Sequence, residues 1–216
     1  MTDLLYRERL AHGDAAGLLV LHHGRGADEL DLLPLADVLD PQRRLHVVTP
    51  RAPLTLSGGT GYHWYLVPRV GHPDPETFRA AYDDLARFHD ELWQRFGLAP
   101  EQTVLGGFSM GSVMSYSLGL GPDRPAPAGI LAFSGFIPTV EGWTPQIPRD
   151  TAVFIAHGRT DPIMEVEFAR TARLLLEGGG MKVDYFESDA GHTIDPAAIQ
   201  RAASWLERVI SPQSAT

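Results

Sequence analysis

The 216 residues are 44% hydrophobic, carry a formal net charge of −9 and include no cysteine. A chain of this size can fill one full core and is short for two, so one domain over residues 1–216 is expected, and the acidic balance leaves no clustered basic face for nucleic acid or an anionic membrane. The lack of cysteine excludes disulfides, thiolate metal sites and a cysteine nucleophile together.

The first residues carry charge at Asp3, Arg7, Glu8 and Arg9 and hold no apolar core of signal-peptide length. No segment reaches the roughly 20 apolar residues of a membrane span, so the expectation is a soluble cytoplasmic protein without stable membrane insertion.

From the N-terminus, residues 4–10 are a candidate edge strand, and Leu18–His22 is the first apolar run of central-strand character. A helix is expected over Asp28–Leu39, then a strand over Leu45–Thr49. The segment 51–75, rich in Gly, Pro and aromatics, fits neither period. The clearest helix covers Glu76–Phe96, where Phe78, Tyr82, Leu85, Phe88, Leu92 and Phe96 share one face and Gly97 follows the end. Strand Gln102–Phe108, helix Met110–Leu120 and strand Gly129–Phe133 come next, then a second irregular segment, 134–150. Strand Thr151–Ala156, helix Ile163–Glu177, strand Lys182–Glu187 and helix Ala197–Ile210 complete the chain. Strands alternating with helices predict an α/β protein on a mostly parallel sheet, and irregular segments of this length are more often functional than not.

Gly107-Phe108-Ser109-Met110-Gly111 fits G-x-S-x-G, with an expected strand before it and an expected helix after it. A serine in so sharp a turn has a strained backbone, and glycine two positions to either side is expected to prevent collisions with it. That argument does not cover Gly106. The first N–H groups of the following helix, chiefly that of Met110, lack intrahelical partners and can stabilise an oxyanion.

A serine hydroxyl needs a base. His192 follows the last strand, and in an open parallel sheet sites form at the carboxyl ends of strands. The same rule selects Asp161, which follows strand Thr151–Ala156, over Asp150, which precedes it; Asp189 remains a second candidate. After strand Leu18–His22, Gly24-Arg25-Gly26 can bring a backbone N–H close to a substrate, making the N–H of Arg25 the second oxyanion donor. His22 and His23 point to opposite faces of their strand and read as holding that loop rather than binding metal.

The set LHHGRG, GFSMGS, FSGFIP, HGRTDP and AGHTI resembles the small carboxylesterase, lysophospholipase and acyl-protein thioesterase family of the α/β-hydrolase fold over nearly the whole chain. The resemblance implies a serine hydrolase with helices on both faces of the sheet, no large lid domain, no metal and no cofactor. It makes Ser109 the nucleophile, His192 the base, Asp161 its orienting acid, and the N–H groups of Arg25 and Met110 the oxyanion donors. Thioesterase members typically carry glutamine where this chain has Met110. Leu66 stands where the family has an acid after its Trp and aromatic pair. Trp64 and Phe136 are candidate pocket walls. The partner expected is a small ester, of short to medium chain, with a homodimer left open. Lysophospholipid or acyl-protein thioester hydrolysis is the alternative activity, and a binding protein without turnover is the alternative of another class. A dienelactone hydrolase would need the cysteine this chain lacks.

Overall fold

The computed structural model describes residues 4–210. Seven strands form the central sheet: β1 (Tyr6–Arg9), β2 (Gly17–His22), β3 (Leu45–Pro50), β6 (Thr103–Phe108), β7 (Gly129–Phe133), β8 (Ala152–Gly158) and β9 (Lys182–Ser188). Their spatial order is β1-β3-β2-β6-β7-β8-β9. β1 is the antiparallel edge, with Tyr6 opposite Pro50, and the other neighbours are parallel. A further hairpin of β4 (Leu54–Thr55) and β5 (Tyr62–His63) lies inside the segment expected to be irregular.

Alternate residues of the inner strands feed opposite faces, as the two-residue period of a strand requires. Leu18 and Val20 of β2 pack with α2 (Pro75–Phe96) and α3 (Met110–Gly119), whereas Leu19 and Leu21 pack towards α1 (Leu35–Leu39) and α5 (Pro196–Ile210). Further along the sheet, Ile130 and Ala132 of β7 meet Ala169, Ala172 and Leu176 of α4 (Glu167–Gly178) on the α3 side.

The longest helix has local stops at both ends. Asp74 caps α2 by accepting the Thr77 N–H at 3.0 Å, Pro75 takes the first position, and Gly97 ends it in the left-handed region at φ 64°. Two other helices are shorter than expected. Helix Asp28–Leu39 reduces to Leu35–Leu39: Asp28 Oδ1 accepts the Leu30 N–H at 2.9 Å, Glu29 O accepts the Thr49 hydroxyl at 2.7 Å, and Pro34 has no N–H to continue a ladder. Helix Ile163–Glu177 begins instead at Glu167, because Asp161 Oδ1 takes the N–H groups of Ile163 and Met164, both at 2.8 Å.

Candidate active site

Four parallel strands end at the site, β2 beside β6 and β8 beside β9 with β7 between the two pairs: Ser109 follows β6, Asp161 follows β8, His192 follows β9 and Arg25 follows β2. The turn at Ser109 is bent hard, with φ 54° and ψ −120°, a region costing a non-glycine residue about 1–3 kcal/mol. The sheet sustains it. Ser109 N–H donates to Phe133 O at 2.8 Å, and the Ser112 hydroxyl donates to Gly107 O at 2.6 Å while accepting the Phe133 N–H at 3.0 Å.

The flanking glycines act differently from expectation. A Cβ on Gly107 would lie 2.6 Å from Gly111 O, and one on Gly111 would run into the backbone carbonyl of His22. Gly107 therefore lets the end of β6 lie against the first turn of α3, and Gly111 lets that turn pass against the end of β2, rather than either clearing space around Ser109 itself. A Cβ on Gly106 would meet the Leu21 side chain at 2.8 Å, which gives that glycine a packing reason within the sheet.

Ser109, His192 and Asp161 come together. Asp161 Oδ2 accepts from His192 Nδ1–H at 2.7 Å, and His192 Nε2 lies 2.9 Å from Ser109 Oγ. With its proton on Nδ1, the imidazole presents a lone pair to the serine hydroxyl. Burial by itself raises the Asp161 carboxyl, but the Met164 N–H, His192 and the Ile163 N–H outweigh it and hold the group below its ordinary value. Asp161 is therefore ionised, with one oxygen occupied by backbone and the other by His192. Asp189 does not join them: 88% of its side chain is exposed and it binds Arg159 at 2.6 Å.

A buried polar layer lies behind the turn. Ser115 donates its hydroxyl proton to Gly111 O at 3.0 Å and stands 2.9 Å from His22 Nδ1, while His22 Nε2 is 3.3 Å from His89 Nε2. Burial, with the neighbouring imidazole adding to it, pushes His22 down to about 3 and His89 well below its ordinary value, so both are neutral and each can supply one proton to this chain. His23 accepts the Ala52 N–H on Nε2 at 3.0 Å and donates from Nδ1 to Gly24 O at 2.7 Å, tying down the loop of Arg25. Glu29 and Arg51 brace the same loop through paired contacts, one at 2.7 Å. Among the described residues no group of three His, Cys, Asp or Glu side chains is placed to hold a metal ion.

A cavity of about 200 Å³ opens over Ser109, Met110 and His192 and is walled by Arg25, Tyr65, Val70, Phe136, Ile163 and Met164. The N–H groups of Gly26 and Ala27, beside Arg25, are bound to Tyr62 O and Gly24 O. α3 starts without a side-chain cap, leaving its first N–H groups to the cavity end. Phe136 stands in the wall, but Trp64 does not: it is fully buried, donates Nε1–H to His23 O at 2.9 Å and packs edge-on to His22. The polar edge of its indole finds a carbonyl only in the core, and Tyr65 takes the place by the cavity. Sequence reasoning passed over Ser112, Ser115 and His89. The signal for the two serines was the small, polar composition of the helix that follows Ser109, and His89 lies on α2 beside its apolar stripe.

The model of the phospholipase/carboxylesterase family matches residues 10–210. Acyl-protein thioesterase 1 of Candida albicans is 27% identical over 184 residues, which cover 79% of this chain and 79% of that one. Acyl-protein thioesterase 1 of Aspergillus fumigatus is 29% identical over 124 residues, 54% of this chain and 51% of the relative, so that match spans about half the relative's length. Among solved structures, the Bacillus cereus carboxylesterase superposes with a TM-score of 0.85 at 25% identity, covering 96% of this chain and 95% of that one.

Proposed function

We propose that this chain, which belongs to the phospholipase/carboxylesterase family, is a serine carboxylesterase that hydrolyses short- to medium-chain esters through Ser109, His192 and Asp161. The observation that carries the reading is the hydrogen-bond line Asp161–His192–Ser109, at 2.7 and 2.9 Å, reaching the floor of an apolar-walled cavity.

In the first half-reaction His192 Nε2 takes the hydroxyl proton as Ser109 Oγ attacks the ester carbonyl. The N–H groups of Arg25 and Met110 receive the oxyanion, and fixed backbone donors there stabilise charge that develops only in the transition state. His192 then gives its proton to the leaving alcohol. Water, activated by the same imidazole, releases the acid. Asp161 keeps the imidazole in the tautomer that faces Ser109 and offsets the charge of the imidazolium. The cavity of about 200 Å³ suits a short to medium chain.

The substitution Ser109→Ala should lower kcat on an aryl butyrate by about 10⁵–10⁶-fold and abolish labelling by a fluorophosphonate. A variant keeping a tenth of wild-type turnover would sink the assignment, and an intact protein that takes no label would favour a binding role. Thioester hydrolysis is the second reading, supported by the acyl-protein thioesterase relatives. Rates on an oxoester and a thioester of the same acyl chain separate the two.

A further inference from the structure

Phe136 is buried and is shared by two cavities. One is the cavity over Ser109. The other, of about 560 Å³, lies between the segment 134–150 and α4 and is walled by Pro138, Trp143, Pro145, Phe168, Thr171 and Leu175. Among the described residues, only Gly71 lines both besides Phe136. Phe168 closes the boundary between them. Its ring packs against that of Phe136 with centroids 5.1 Å apart, and on the other side a Cβ added to Gly71 would lie 3.1 Å from it. Phe168 thus bridges Phe136 and Gly71 along that boundary.

The two sides are unequal in a way that bears on substrate. Pockets for drug-sized ligands span about 300–1,000 Å³; the cavity with the reacting groups falls below that range and the cavity behind Phe136 falls within it. The larger one offers mostly apolar wall, with Glu165 and Glu167 among its lining residues. Such a space suits an uncharged alkyl segment and disfavours an anionic one.

We infer that Phe136, Phe168 and Gly71 form a partition that sets the longest chain accepted at Ser109, and that the cavity behind it takes the distal alkyl segment of a longer ester when the partition is opened. This rests on the reading that esters are cleaved at Ser109. Phe136 and Phe168 are then specificity-determining residues, acting on chain length rather than on the chemical step.

The test measures kcat/KM on aryl esters from acetate to palmitate for the wild type, Phe136→Ala, Phe168→Leu and the double variant Phe136→Ala/Thr171→Trp. Opening the partition should raise the dodecanoate-to-butyrate ratio by about 60-fold if about three of the eight additional methylenes become buried, each contributing about fourfold. Phe168→Leu, which opens it from the other side, should move the ratio in the same direction. Filling the second cavity with Thr171→Trp should return the ratio towards the wild-type value. An unchanged ratio in both single variants, or a raised ratio that survives the filling substitution, would overturn the partition. If the wild type cleaves no ester of any length, the esterase reading fails instead. Calorimetric binding of dodecanoate then still reads the partition, which requires tighter binding in Phe136→Ala and its reversal in the double variant.

Discussion

Around Ser109 the polar side chains are held by the backbone: Ser112 by Gly107 and Phe133, Ser115 by Gly111, His23 by Gly24 and Ala52. The segment 66–70 across the cavity is different in kind, with Leu66, Val67 and Val70 all exposed and apolar. One region is over-determined by buried contacts, and the other faces water with side chains that gain by covering something. The geometry of the reacting groups is thus set by the core, while the choice of substrate is left to segments that the core hardly constrains. Loops can then vary around a fixed site.

Breaking the over-determined side should cost most. Asp161→Asn should lower kcat by about 10⁴-fold, because it favours the wrong tautomer of His192 while leaving the fold in place. A loss under tenfold would show that Asp161 does not orient the imidazole. Gly111→Ala should lower stability by about 3 kcal/mol in urea unfolding, as overpacking against backbone cannot be relieved by a rotamer change. An unchanged midpoint would mean that α3 does not need its close approach to β2.

The buried histidines behind the turn make the same side sensitive to pH. His22 is held at about 3 and His89 well below its ordinary value, against 6.5 for a free imidazole. Below about 6.5 the unfolded chain binds protons that the folded chain refuses. Their contribution is therefore complete above 6.5 and is lost progressively as pH falls below it, for His22 down to about 3. Moving from pH 7 to pH 6 should lower stability by about 1–2 kcal/mol for the pair, read as a lower urea midpoint. Stability that rises over this interval would contradict neutral, buried imidazoles.

Changes on the exposed side should be smaller and of another type. Val70→Ser should raise KM on medium-chain esters by about fivefold with kcat little altered, as expected for about 1 kcal/mol of apolar contact with the substrate. A fall in kcat alone would place Val70 in the chemistry. Asp189→Asn should change kcat/KM by less than about twofold, because its pair with Arg159 is exposed.

Much of this arrangement was legible from local pattern. The glycines around Ser109, the strand before it and the helix after it lie within a few residues of one another, and Asp161 and His192 were selected by their places after strands. The starts of α1 and α4 were not legible, since Thr49 and Asp161 settle them from outside any helical period. Trp64 misled for a related reason. Its aromatic surface suits a cavity wall or a core equally, and only the position of His23 O decides for the core.

By itself, then, the sequence determined the alternation of strands and helices and the chain order of serine, acid and histidine, because these follow from periodicity and from short-range backbone sterics. The tertiary structure alone decided that Gly111 faces the carbonyl of His22, that His22 meets His89, and that Phe136 meets Phe168. Those contacts join residues far apart in the chain, and their existence depends on strand register and helix packing, which no local pattern encodes.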